Sequence, residues 1–231
     1  MSSAVQATPA TGRQRLIDAR RALYRASIVA AAERVFAEHG YDPAKVQVIA
    51  KEAGVSLATV YGIFPSKWEV FRAVQHDRLV ALMQRVGTLV MNASDVFDRL
   101  RFGIEGYLRF HMEHPDFLRI QLREQVPWGT LDELHTPEQT QAWEQGLMML
   151  VAAFREGIAQ GLLADDDPEF SARMATAMGQ VRLVLWVNRG MQDAPEDVGR
   201  AAMLQFVRTF AQPAHVAELS ERVRTSPLPW T

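Results

Sequence analysis

Residues Asp42 to Phe71 read DPAKVQVIAKEAGVSLATVYGIFPSKWEVF, and the rest of the 231-residue chain can be placed around them. Asp42 then Pro43 has the form of a helix start, an acidic cap followed by a residue whose missing N–H costs a first turn nothing. Val46, Ile49 and Ala50 supply one turn of apolar spacing. Ala53-Gly54-Val55-Ser56 breaks that helix: Gly54 tolerates the left-handed conformation, Val55 anchors inward and Ser56 caps the next helix. Leu57 to Phe64 predicts this second short helix, with Val60 and Phe64 four apart on one face. Ser66-Lys67-Trp68-Glu69 is a capping box. It opens a longer helix that Val70, Phe71, Val74, Leu82, Met83 and Val86 carry to near Val90. Two short helices joined by a glycine turn are what a helix-turn-helix needs to lay its second helix in the major groove of DNA.

The ordered positions Gly40-Tyr41, Val46-x-x-Ile49-Ala50-x-x-Ala53-Gly54-Val55-Ser56 and Thr59-x-Tyr61-x-x-Phe64-Pro65-Ser66-Lys67 resemble the DNA-binding domain of the tetracycline-repressor (TetR) family. The resemblance covers Arg21 to Ala81; the rest of the chain carries no comparable signature. It implies an all-α protein: an N-terminal three-helix helix-turn-helix DNA-binding domain joined by a fourth helix to a helical ligand-binding and dimerisation domain. The expected organisation is a disordered basic arm over residues 1–20, the DNA-binding domain over 21–81 with its motif at about 44–63, and the effector and dimer domain over 82–231.

Expected DNA contacts are read from the motif. Thr59 and Tyr61 carry hydroxyls that reach phosphate, and Leu57 and Ala58 suit thymine methyl groups. Lys45, Ser56 and Gly62 lie on the same short helices. Lys67 resembles the family's phosphate-binding lysine. Two departures stand out. Gly62 and Ile63 occupy positions where the family usually has aromatic or histidine side chains, and Lys45 stands where many members carry threonine. No Arg, Lys, Asn or Gln lies between Leu57 and Phe64, so bidentate base reading is absent from that helix. Selectivity must then lean on methyl contacts, the N-terminal arm or DNA shape.

Charge supports a nucleic-acid-binding head. Residues 1–75 hold 10 Lys/Arg against 6 Asp/Glu, while the remainder holds 15 against 21, for a net −2. Arg13, Arg15, Arg20, Arg21 and Arg25 cluster at the N-terminal end, where they can neutralise phosphates. An apolar content of 48% is enough for a packed core. The absence of cysteine excludes disulfides, thiolate metal sites and cysteine nucleophiles, and it suits a reducing cytoplasm. No run approaches the ~18 apolar residues of a membrane span. A cytoplasmic protein without membrane contact is expected.

The remaining chain reads as helices: Asp95 to about Glu113, Pro115 to about Val126, a helix opened by the capping box Thr136-Pro137-Glu138-Gln139, Pro168 to about Arg189, and Pro195 to before Pro213. One further turn is expected after Pro213. Phe102, Tyr107, Phe110, Phe117, Trp128, Trp143 and Met148 offer the aromatic and adaptable surface of a pocket for a small, largely apolar effector. The helix from Pro168 is apolar on more than one side. With the next helix it predicts a homodimer face built from Met178, Val181, Leu185, Trp186, Met203, Val207 and Phe210. His111, His114 and His135 lack a second pair at ligand spacing, so no metal site is assigned. No phosphate-cradling loop or nucleophile elbow occurs, no cofactor is called for, and an enzyme is not expected. The reading is a DNA-binding transcriptional repressor, released from a palindromic double-stranded operator by its effector. The alternative is a DNA-binding regulator without a small-molecule ligand, controlled by a protein partner.

Overall fold

A computed structural model of the chain describes residues 12–123 and 137–227, and every structural statement concerns those residues. They are helical throughout, apart from turns and an isolated antiparallel bridge between Leu163 and Ala211. The chain divides into two compact units, Met1–Val74 and Gln75–Thr231.

The first unit holds α1 (Gly12–His39), α2 (Val46–Glu52), α3 (Leu57–Ile63) and the opening turns of α4 (Lys67–Met91). Its core is what the apolar spacing predicts. Ile28, Ala31, Val35 and Phe36 of α1 are buried, and so are Ile49, Val60, Val70, Phe71 and Val74. Phe36 packs edge-on against Phe71 with ring centroids 5.3 Å apart. Gly40 ends α1 at φ 82°, and Gly54 turns α2 into α3 at φ 67°, both in the left-handed region.

Two expectations need correction here. The arm over residues 1–20 is helical from Gly12 onward, because the run ARRALYRA consists mostly of strong helix formers and the helix extends beyond its packed part. Leu16, Ile17 and Leu23 remain exposed along it. Asp42-Pro43 does not start the second helix. Tyr41 to Pro43 form a turn, and α2 begins at Val46 with Lys45 in the N-cap position and no side-chain cap bond. The turn's carbonyls are held instead by the side chain of Lys67, from the head of α4.

The second unit begins at Gln75. Gln75 is buried and accepts a hydrogen bond from Gln121 Nε2 at 2.7 Å, which ties this part of α4 to α6 (Pro115–Arg123). Because α4 is unbroken across the division, its sequence carries no boundary signal. The unit adds α5 (Val96–Glu113), α7 (Pro137–Ala159), α8 (Pro168–Asn188), α9 (Pro195–Phe210), a 3-10 turn (Pro213–His215) and α10 (Val216–Thr225). Asp95 and Asp167 cap α5 and α8 through their side chains. The capping-box residue Thr136 lies outside the described residues.

The larger core cluster joins Phe97 and Leu100 of α5, Phe154 of α7, Ala172 of α8, Met203, Phe206, Val207 and Phe210 of α9, and Leu219 and Val223 of α10. A second cluster gathers Leu108, Leu118, Leu183, Trp186, Val198 and Ala202. Four residues expected at a dimer face are therefore interior. Trp186, Met203, Val207 and Phe210 are covered by their own chain, because α10 and α5 occupy the side that the sequence left open. Met178 is half-buried and packs on the same core. Where one further turn was expected after Pro213, α10 is a ten-residue helix. Its last carbonyls accept hydrogen bonds from Arg200, to Val223 at 2.8 Å and also to Arg224.

Candidate nucleic-acid interface and effector site

The candidate interface starts from one cap. Ser56 Oγ accepts the Thr59 backbone N–H at 3.0 Å and lies 2.8 Å from Thr59 Oγ1, so the first turn of α3 is closed by its own side chains. Val60 turns inward and is fully buried, which fixes the rotation of α3 about its axis. Ala58, Tyr61 and Gly62 are then exposed, Tyr61 at 47%, while Leu57 and Thr59 are half-buried. Nothing lies within 4 Å of where a Gly62 Cβ would sit, so packing inside the unit does not require a glycine there. Lys45 is exposed at the start of α2, and so is Gln47, a polar side chain the motif reading passed over because it considered base-reading groups only on the second helix. The exposed polar–apolar mixture suits hydroxyl contacts to phosphate and close approach to base edges.

Lys67 is placed differently from the expectation. Its Nζ donates to the carbonyls of Tyr41 at 2.8 Å, Asp42 at 3.0 Å and Ala44 at 3.3 Å. The side chain is half-buried, and its ammonium lies 4.5 Å from the centroid of the Tyr41 ring.

In the second unit, three of the expected effector residues come together. Phe110 and Phe117 are buried with Leu82, and Tyr107, Ala81 and Val86 pack beside them. His111 joins this group, its ring 4.3 Å from Tyr107 and stacked on Phe117 at 5.8 Å. His111 Nδ1 lies 2.9 Å from the Tyr107 carbonyl, and burial pushes its pKa down to about 4. Burial likewise pushes the Tyr107 phenol up to about 12, against a hydrogen bond with Gln180 that works the other way. Both groups are neutral at physiological pH, and His114 packs edge-on against Phe110 beside them, with ring centroids 4.5 Å apart.

The other expected members are not part of it. Trp143 is on the surface under Arg173, whose guanidinium carbon is 5.4 Å from the ring centroid, and Met148 is 63% exposed. Both sit on outward positions of α7, which helical spacing alone did not distinguish from inward ones. Phe102 is half-buried beside Arg101. Trp128 lies outside the described residues. No group of three His, Asp or Glu side chains among the described residues is placed to hold a metal ion.

A capped, exposed α3 carried on α1 and α2 defines a helix-turn-helix DNA-binding protein. The family profile described as bacterial regulatory proteins, tetR family, matches residues 28–74, which is α1 from its first buried turn through the opening of α4. A helix-turn-helix-type transcriptional repressor of Streptomyces coelicolor is 29% identical over 144 residues, 62% of this chain and 69% of that protein. The transcriptional activator FasR of Mycolicibacterium smegmatis is 34% identical over 106 residues, 46% of this chain and 48% of that one. Among solved structures, the ketosteroid transcriptional regulator KstR2 of Mycobacterium tuberculosis has the same fold, with a TM-score of 0.69 at 21% identity over 81% of this chain and 95% of that one. Residues 28–74 thus carry a tetR-family DNA-binding domain, and the relatives matched across it are transcriptional regulators.

Proposed function

We propose that this regulator is a homodimeric repressor whose hold on a palindromic operator is released by a small, uncharged, largely apolar molecule. The observation that carries the DNA half of the proposal is the exposed side of α3, where Ala58, Tyr61 and Gly62 stand clear of a helix capped by Ser56. Lys45, Leu57 and Thr59 flank it. Two such units about 34–36 Å apart meet successive major grooves, which is why a dimer is proposed. Val181 and Leu185 support that assembly: they remain 54% and 44% exposed on α8, with the exposed Val184 between them. A row of exposed aliphatic side chains on one helix suits a two-fold partner surface. Repression is the sign carried by the Streptomyces relative. A repressor of this kind works in the cytoplasm, where its operator is.

The effector half rests on the cluster of Tyr107, Phe110, His111 and Phe117. Tyr107 and His111 are neutral, so neither offers a charge partner to a ligand, whereas an apolar or aromatic molecule suits the surrounding rings. A ligand that prefers one arrangement of these helices shifts the protein toward it by its differential affinity and no more. Footprinting on the intergenic DNA beside the chain's own gene tests the first half. Protection of two half-sites about one helical turn apart is expected. Absence of any salt-sensitive protection would refute DNA recognition. Thermal-shift screening with apolar compounds, with the footprint repeated for each hit, tests the second. Hits that stabilise the protein but leave operator affinity unchanged would refute the coupling. They would favour control by a protein partner, for which the exposed Met148 and Met149 on α7 offer an adaptable surface.

A further inference from the structure

We propose that Lys67 is a positioning residue of the DNA-binding unit: its ammonium holds the turn between α1 and α2 and so sets where α2 begins. The consequence for DNA rests on the DNA-binding function proposed for this unit, but the clamp itself does not. An ammonium has three protons and no acceptor. Here three carbonyls, those of Tyr41, Asp42 and Ala44, receive them at 2.8, 3.0 and 3.3 Å. These carbonyls belong to a turn between helices, where no helical ladder reaches them. Lys45, the N-cap of α2, makes no side-chain cap bond, so the entry to α2 lacks the local lock that Ser56 gives α3.

The ammonium also meets an aromatic ring that is itself packed in place. The ammonium faces the Tyr41 ring, and that ring packs on Phe71 at 5.0 Å, Phe36 at 5.9 Å and Trp68 at 6.0 Å. The turn is thus fastened to the start of α4 by one cation and one aromatic ring. A phosphate contact would require Lys67 to release these carbonyls. Arginine does not substitute, because a planar guanidinium fork directs its donors in one plane while the ammonium directs three around a point.

The test compares Lys67→Arg and Lys67→Met in the full chain, by hydrogen exchange without DNA and by operator binding across a salt series. Val48 and Ile49 donate their amides to the Lys45 carbonyl, so they report the first turn of α2. Exchange of both amides is expected to accelerate about tenfold or more in both variants. Operator affinity is expected to fall in both, with the slope of log affinity against log salt unchanged. Retained affinity in Lys67→Arg, with a slope about 0.9 shallower in Lys67→Met and wild-type exchange in both, would overturn the proposal and assign Lys67 to a phosphate. If either variant fails to fold, the wild-type protein decides. Slowly exchanging Lys67 ammonium protons in its heteronuclear spectrum support the clamp, and ammonium protons exchanging as fast as those of exposed lysines refute it. A wild-type chain that binds no duplex DNA would overturn the functional reading while leaving the exchange result to judge the clamp.

Discussion

Arg101→Met should be among the most destabilising single changes in the second unit, by a mechanism that can be worked from the structure. The Arg101 and Glu105 side chains are 1% and 0% exposed, one turn apart on α5, with Arg101 Nε 3.1 Å from Glu105 Oε2. The same guanidinium donates through Nη2 to the carbonyls of Pro227 at 2.9 Å and Ser226 at 3.3 Å, just past the end of α10. Glu105 Oε1 has no partner among the described residues. Removing Arg101 therefore strands a buried carboxylate and two carbonyls at once. Breaking a buried pair from one side costs about 3–5 kcal/mol. At about 2–4 °C per kcal/mol for a unit of this size, the midpoint should fall by roughly 6–20 °C.

The pH dependence has a definite sign. Burial raises the Glu105 pKa above 4.5, and Arg101 is the leading influence holding it back. A carboxyl raised in the folded state keeps its proton more readily than in the unfolded chain. Its contribution is therefore favourable at low pH and is lost as pH rises from 4.5 through the folded value. Without Arg101 that window extends upward, so the variant's deficit should grow from about pH 5 to pH 7. Replacing both residues, Arg101→Met with Glu105→Leu, removes the stranded charge and should recover most of the loss. Thermal unfolding followed by circular dichroism at the two pH values reads all three proteins. A double variant no more stable than Arg101→Met, or a single variant whose deficit shrinks as pH rises, would refute the reasoning.

Four more outcomes rest on contacts elsewhere in the structure. His111 is neutral in the folded chain down to a pKa of about 4, while an unfolded histidine takes up a proton near 6.5, so the native state loses stability as pH falls across that window. His111→Phe should flatten this acid limb in a denaturation series, and an unchanged limb would place the titration elsewhere. Ser56→Ala removes the acceptor for the Thr59 amide and should cost about 1 kcal/mol in chemical denaturation of the first unit. Ser56→Asp should keep that cap yet weaken operator binding, because a carboxylate there repels phosphate. Gly62→Ala should stabilise α3 by about 0.5–1 kcal/mol, since open space surrounds the added Cβ, and still reduce operator affinity. Improvement of both stability and affinity would mean that DNA does not approach Gly62 closely.

Much of the first unit was legible because its signals are local. Gly54 at positive φ, the Ser56 cap and the inward Val60 all act within one or two turns of their own position, so residue order is enough to read them. The exposed side of α3 is fixed as soon as Val60 is buried. Lys67 shows where that logic stops. Its position at the head of a helix is visible in the sequence, but its three acceptors are 23 to 26 residues away along the chain. The missing cap of α2 and the unmade helix start at Asp42-Pro43 belong with the same distant contact.

In the second unit, periodicity identified helices and their apolar positions but not which neighbour would cover them. Met203, Val207 and Phe210 form a stripe that suits a partner subunit equally well, until α10 places Leu219 and Val223 in the same core. Trp143 and Met148 share the composition of Phe110 and Phe117, yet face outward because α7 is oriented by Phe154. The sequence by itself determined the helical class, the helix-turn-helix and the residues α3 presents, since caps, turns and period are properties of near neighbours. Only the tertiary structure decided which apolar side chains are core, which remain available to a second copy or a ligand, and that Lys67 grips a turn. Those outcomes depend on contacts between segments far apart in the chain, whose pairing no local pattern specifies.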